Sequence, residues 1–591
     1  NQILHLNNGG FAFAGSGSFT TGDEGADFLL GVPDFYEQAS GDIVNERAQE
    51  YYTYAQDQWK ARSNLTISYG LGWSIDTPIS DNYHNNHAGV AFRPGQQSVV
   101  FPGAPEGYVF QGDPGVNAFG KTQFKDFGPR FGFAYSPDWG RLTGGPGKTS
   151  IRAGYGIYYN RFSGEPTYES QGLPPFGVTS FGAGDIGASP SFSAPFSGFM
   201  AGTGGTVTPV SIANKFPYVL SGQPNFSFFE PMSISVYDPN VSVPYAENYS
   251  LTVQRQIGGS SVISVAYVGA QGHRLLIAHE LNPGLNPAGC AATPKCASNP
   301  AQQPFNFPGN YAYPGNIIAS IGEVSTVGNS NYNSFQMSWD KRFSHGLQFL
   351  AAYTWSHSLD DGSGFENSGF NGGGFGGFGN TRSIDPFNQK LRDYGNSIFD
   401  ARNRFVISYV YDIPSVRHFH ALQFLPGKVT DGWRMSGIST FQSGFPLDVV
   451  DSSLPSLTDS PYQSIYCTFG IGCWDVPNVA GPVHYENPRT SATNLWFNPS
   501  AFAPAALGTQ GNAGRNILHG PGINNFDFAL MKETSFTENT RLELRFEFFN
   551  FWNHTQFSPM GITTDINSAT FGQELAAREP RLIQIAGKFY F

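Results

Sequence analysis

Four cysteines fall in two close pairs, Cys290/Cys296 and Cys467/Cys473. An even count with short local spacing suits small disulfide-closed loops in an oxidising compartment. The same four thiolates could form one zinc site, but CxxC spacing is missing. His84 and His87 share a segment with Asp81, a set that a metal ion could use and that solvated loop side chains explain as well. His418 and His420 stand in the same position. Asp360 and Asp361 precede the tract Gly362–Gly379, GSGFENSGFNGGGFGGFG. There the acids could hold a cation, while Phe365 and Phe370 could stack on a sugar or a peptide. The other reading is a solvent loop, or one folded over a barrel mouth. Gly-rich phosphate cradles need a strand before and a helix after, and that context is lacking. No set of residues resembles a catalytic constellation, so the reading is of a non-enzyme with no cofactor.

Such residues need elements to position them, and the pattern of those elements is clear. In Arg541–Phe548, Leu542, Leu544, Phe546 and Phe548 alternate with Arg541, Glu543, Arg545 and Glu547. A period of two is that of a strand with one oily and one wet side. In a barrel the four charges would face a wet lumen and either hold a plug or neutralise one another. At Asn64–Trp73, Leu65, Ile67, Tyr69, Leu71 and Trp73 share a face opposite small or polar partners. Phe335, Met337 and Trp339, then Leu347, Phe349, Ala351, Tyr353 and Trp355, give a further pair. Tyr353 and Trp355 are expected at a strand end, as an interfacial girdle requires. The final residues, LIQIAGKFYF, make a strand ending on Phe589 and Phe591. A closed barrel tolerates a bare apolar strand there, where a soluble domain would expose an edge.

Composition agrees. Charged residues are 13% and aromatics 15% of 591, with 53 Phe, 28 Tyr and 72 Gly. About a quarter charged is usual in soluble domains. No run of about 18 apolar residues exists, so no transmembrane helix is available. Mean hydropathy is −0.27, as expected where strands hide their hydrophobicity in alternation. A secreted all-β protein such as a propeller is the competing class. The net charge of −12 argues against nucleic acid, which selects basic surfaces. No secretory signal opens the chain at Asn1, so a mature, processed or truncated chain is expected.

Connection lengths give an independent signal. Short turns near 537–539, 344–346, 258–260, 137–148 and 62–64 alternate with long connections at about 76–125, 161–244, 271–329, 358–398 and 444–524. Outer-membrane barrels alternate short periplasmic turns with longer outer loops. The 415–431 connection should be periplasmic yet is moderately long. With the last strand descending, both cysteine pairs fall in outer loops. The expected fold is an all-β, transmembrane antiparallel β-barrel with long extracellular loops. About 15 strands are visible, starting near Phe11 and near Phe28, and they would be part of a barrel of about 22 with about seven more strands upstream.

Several stretches then look familiar together: ADFLLGVPDFYEQ (26–38), YYTYAQDQWKARSNLTISYGLGW (51–73), FGPRFGFAYSP (127–137), RAGYGIYYNRF (152–162), PYAENYSLTVQRQIGGSSVISVAYVGAQGHRL (244–275) and FDARNRFVISYVYDIP (399–414). With GWRMSGISTFQSGFPL and LELRFEFFNFWNHTQFSPM, they resemble the barrel region of Oar-like TonB-dependent receptors. These are TonB-dependent transporters with an amino-terminal carboxypeptidase-regulatory-like domain. The resemblance covers most strands and is weak in the outer loops. It implies a 22-stranded barrel in the bacterial outer membrane, a plug and a TonB box. Neither of the last two is recognisable here, so the sequence is expected to be the barrel portion, with plug and amino-terminal domain outside it. The implied function is uptake of a bulky solute. A structural or surface-display role, or protein export, is the alternative. Expected partners are outer-membrane lipid, the plug and TonB through the rest of the protein, the barrel assembly machinery through Phe589 and Phe591, and envelope neighbours.

Overall fold

The computed structural model describes residues 2–3, 8–13, 19–40, 42–43, 45–83, 87–117, 119–161, 173–186, 188–201, 206–229, 232–282, 318–363, 394–415, 417, 423–453, 475–506, 509 and 511–591. Thirteen long strands form one antiparallel wall. They are β1 (Glu50–Arg62), β2 (Leu65–Asp76), β3 (Gln123–Tyr135), β4 (Thr149–Tyr159), β5 (Tyr245–Ile257), β6 (Ser261–Glu280) and β7 (Ile318–Ser344). Then follow β8 (Leu347–Asp360), β9 (Asn403–Ile413), β10 (Trp433–Gln442), β11 (Ile523–Ser535), β12 (Arg541–Phe549) and β13 (Leu582–Tyr590). Each pairs with the next in sequence, so the wall is a meander with β1 and β13 at its edges. Two short strands, Met232–Tyr237 beside β7 and Gly395–Asn396 beside β8, bring the sheet to 15. Among the described residues no helix is long and apolar enough to cross a membrane.

The ladder carries the sequence alternation across the whole wall. Trp73 opposes Phe127, Phe335 opposes Trp355, and Leu544 and Phe546 oppose Gly587 and Ile585. Directly opposed residues share a face. One row of the wall is therefore apolar and aromatic over most of its length, giving way near the long connections to Glu247, Gln271, Asn333 and His357, and the other is mostly small or polar. The apolar row has no cover: Phe131, Trp355 and Ile585 are 52%, 59% and 70% exposed. A soluble protein would bury such a row, whereas lipid covers it in a membrane. Cations in this row lie near the short turns and reach back to the backbone. Lys341 Nζ donates to the carbonyls of Ser344 and Leu347, Lys532 Nζ to that of Glu533, and Arg255 to those of Leu142 and Arg141. This is snorkelling at an interface. Asp57 departs from the rule; it accepts the Tyr69 hydroxyl at 3.0 Å.

Short turns gather at one end of the wall and long connections at the other. At 345–346, His345 and Gly346 both take positive φ, 53° and 76°, as a two-residue hairpin turn requires. The 414–432 connection is longer and contains the short helix Gly427–Thr430. The strand containing Tyr353 and Trp355 continues past them to Asp360, so this pair lies inside β8 rather than at its end.

Near Phe28 the structure has a helix, α1 (Glu24–Leu30), where a strand is expected from sequence. The Asp23 side chain caps it by accepting the Ala26 N–H at 2.8 Å. Gly31 stops it in the left-handed region at φ 69°. Both caps are local signals that the apolar Phe28–Leu30 run obscures. Phe11 lies in the three-residue strand Gly10–Ala12, outside the wall.

The long connections fold into a cap with its own core. One cluster joins Val90, Phe101, Tyr108, Phe110, Phe226 and Met232 to Ile318 and Ile321 of β7. A second links Ile79, Phe119, Tyr237 and Val241 to Val324, and a third joins Val449, Phe497, Phe502, Leu518 and Ile562. Among the described residues, the only buried apolar side chains of the wall strands are Ile277, Ile318, Ile321 and Val324. All four lie at the long-connection ends of β6 and β7. Those strands have 20 and 27 residues, whereas about 9–11 cross a bilayer. The excess extends past the bilayer at the long-connection end, and the cap is built on it.

Candidate functional site

The inner row of the wall has two characters. From β2 to β5 its floor is small: Ser68, Gly70 and Gly72, then Gly128 and Gly132, then Gly154 and Gly156, then Ser250. Larger side chains lie over that floor. Arg130 donates to the Tyr52 hydroxyl at 3.0 Å and stacks over Tyr158 at 4.8 Å. Tyr52 in turn stacks with Tyr54 at 6.0 Å. A Cβ added at Gly72 would meet the Tyr52 ring, and one at Gly156 the Tyr158 ring. The glycines thus make room for aromatics lying flat along the wall.

From β9 to β13 the inner row carries charge. Arg434 Nε donates to Asp412 Oδ1 at 2.5 Å across β9 and β10. Arg545 contacts Glu543, and Arg541 lies 3.9 Å from Glu533. Arg541 and Lys588 flank the Tyr590 ring at 4.4 and 4.8 Å. Arg541, Glu543, Arg545 and Glu547 therefore sit on the polar row, with Arg541, Glu543 and Arg545 in contact with groups on their own or adjacent strands. Leu350 and Ile438 interrupt this row as exposed apolar side chains, both opposite Ser408.

At the long-connection end the cap is tied to the wall by a buried ion pair. Arg515 and Asp360 are in contact with side chains 1% and 4% exposed. Arg515 also donates to the Asp360 carbonyl at 2.8 Å, and Ser363 Oγ donates to the Asp360 carboxylate at 2.7 Å. Asp361 accepts the Asn329 N–H at 2.7 Å. Both acids of the sequence-derived ligand loop are thus committed to contacts within the fold. Phe365 and Phe370 lie outside the described residues, as do Cys290, Cys296, Cys467, Cys473, His84, His418 and His420. Asp81 accepts the N–H groups of Asn45 and Tyr83, and His87 Nδ1 pairs with the Gln111 carbonyl at 2.8 Å. Among the described residues no three His, Cys, Asp or Glu side chains cluster as metal ligands. Phe589 and Phe591 end the lipid-facing row, 55% and 97% exposed.

Sequence reasoning missed Arg515, whose partner lies 155 residues away, and the cap's own polar cores. Asp113 accepts from Ser98 Oγ and from the N–H groups of Val99, Val100 and Phe110 at 2.7–3.0 Å. Burial opposes its charge, but these donors hold the carboxyl below its usual range. Burial pushes Glu37, in the short strand Phe35–Ala39 that pairs with Thr179–Ser180 of the cap, up to about 7, and it raises Tyr108; at Glu574 burial outweighs the N–H groups of Ala576 and Leu575, which act in the opposite sense.

Among curated proteins none matches the chain. Solved structures similar to it include the outer membrane transporter YddB from Escherichia coli, at 11% identity and a TM-score of 0.37, covering 93% of this chain and 55% of that one. The siderophore receptor PiuA from Acinetobacter baumannii is similar at 8% identity and 0.36, covering 93% and 44%. The ferripyoverdine receptor of the outer membrane of Pseudomonas aeruginosa is similar at 9% and 0.34, covering 95% and 40%. The chain spans about half the length of these proteins or less. A family model described as outer membrane beta barrel domain matches residues 1–584. Together with a wall that is oily outside and polar inside, that match places the protein in the bacterial outer membrane, and the chain belongs to the outer membrane beta-barrel domain family.

Proposed function

We propose that this chain forms a large part of the barrel of a TonB-dependent receptor that takes up a bulky solute. One observation carries the reading: thirteen strands present an inner row that is small or polar along most of its length, interrupted at Leu350 and Ile438, with no core of its own. A wall that wide encloses a lumen that must be filled with water or a plug. The paired charges from β9 to β13 suit polar contact with a plug supplied by the rest of the protein. The folded cap at the long-connection end, taken as the cell exterior, suits capture of solute above the mouth. The family resemblance of the strand motifs to Oar-like receptors supports the TonB coupling, and the exposed terminal Phe591 suits recognition by the barrel assembly machinery.

The test is binding of the periplasmic domain of TonB to the full-length protein in detergent. Retention is expected, with loss on deleting the TonB box. Absence of binding by the intact protein would overturn the reading. One observation favours a surface-display role instead: α1 exposes Phe28, Leu29 and Leu30 together, an apolar patch that suits an envelope neighbour.

A further inference from the structure

Two buried carboxylates stand where the first long connection leaves and rejoins the wall. Asp76 closes β2, and Asp126 follows a bulge near the start of β3. Bulges re-aim side chains. Asp126 opposes Ser74 in the ladder, so Asp76 is its diagonal neighbour on the inner row. Asp76 and Asp126 are only 5% and 3% exposed. Ser74 Oγ donates to Asp76 Oδ2 at 2.7 Å, but Asp76 Oδ1 and Asp126 Oδ2 have no hydrogen-bond partner. The charge of Arg274 reaches Asp126, yet its guanidinium lies over the Tyr245 ring at 5.4 Å. Asp76 also lines a small open cleft with Thr77, Phe119, Gln123 and Arg161, joined by Lys121, whose Nζ donates to Asn240 at 3.2 Å. Adjacent buried carboxylates with bare oxygens call for a shared cation or proton.

We propose that Asp76 and Asp126, with Ser74 Oγ, hold a calcium ion that clamps the two ends of the 77–122 connection. Calcium takes oxygen ligands in flexible geometry, and main-chain carbonyls and water complete its shell. No third carboxylate or imidazole joins the pair among the described residues. The affinity therefore belongs to the weak class of extracellular sites, about 0.1–1 mM.

The experiment titrates the purified full chain in detergent with calcium chloride by calorimetry, and follows proteolysis within 77–122 with and without chelator. The wild type is expected to bind calcium, with cleavage slowed about tenfold at about 5 mM, and Asp126→Asn to bind at least about tenfold more weakly. The double variant Asp76→Asn/Asp126→Asn is expected to lose both effects. A wild type with neither heat nor protection overturns the proposal without any variant. A double variant that keeps both overturns it too.

Discussion

The wall and the cap use the same aromatic-rich alphabet in opposite ways. In the wall, Phe131, Tyr155 and Trp355 face outward and are exposed; in the cap, Tyr108, Phe110 and Phe497 are fully buried. The difference is the solvent each region was built for. Lipid completes the wall's apolar row, so the wall needs no interior packing and keeps its inner face free for polar work. The cap stands in water and must supply its own core. Burial by itself therefore says nothing of stability here until the surrounding medium is named.

Four perturbations would break or sharpen that contrast. The largest effect is expected from Phe110→Ala, which empties the centre of the cap core at a cost of about 3–5 kcal/mol. Loss of protease resistance in the cap, with the heat-modifiable gel mobility of the wall retained, would separate the two regions. If both were lost together, they fold as one unit. Arg515→Ala leaves Asp360 buried and unpaired, and about 3–5 kcal/mol of cap stability should go. Pairing Arg515→Met with Asp360→Leu should recover most of it, as measured by the cap's unfolding midpoint.

Next, Phe546→Arg puts a charge on the lipid face of β12 and should cost about 2–4 kcal/mol near the bilayer centre. Ser436→Arg, on the inner row, should change folding by only about 0.5 kcal/mol. Equal effects in refolding titrations into vesicles would contradict the assignment of faces. The smallest effect is in pH dependence. Glu37 has its folded value raised from 4.5 to about 7, so the stability it contributes is complete below about pH 4.5 and is lost as pH climbs through 7. Asp113 has the opposite sign: its contribution is present above the usual carboxylate range and lost as acid protonates it. Cap melting should therefore decline modestly from pH 5 to 8 in the wild type, and Glu37→Gln should flatten that slope.

The wall was legible in the sequence because its signal is long and local. Leu65 to Trp73 and Leu542 to Phe548 repeat a period of two often enough to name a face, and the ladder places both rows as read. Hairpin turns were legible from length alone. The cap was not. Its strands run from two to six residues, as in Tyr108–Phe110 or Met232–Tyr237, too short to show a period. Its cores join residues more than a hundred positions apart, such as Phe101 and Phe226. The long connections therefore read as structureless loops although they carry folded cores. The Arg515–Asp360 tie was hidden for the same reason, and α1 was masked by an apolar run whose caps outweigh it.

The strand Met232–Tyr237 lies parallel to Ile318–Val324 of β7, so the ladder of the wall itself runs on into the cap. Neighbouring antiparallel strands meet through tight turns, whereas a parallel partner must be brought back across a long crossover, at a larger cost in chain entropy. Hairpins of the wall are therefore expected to pair early, and this seam between wall and cap to close late.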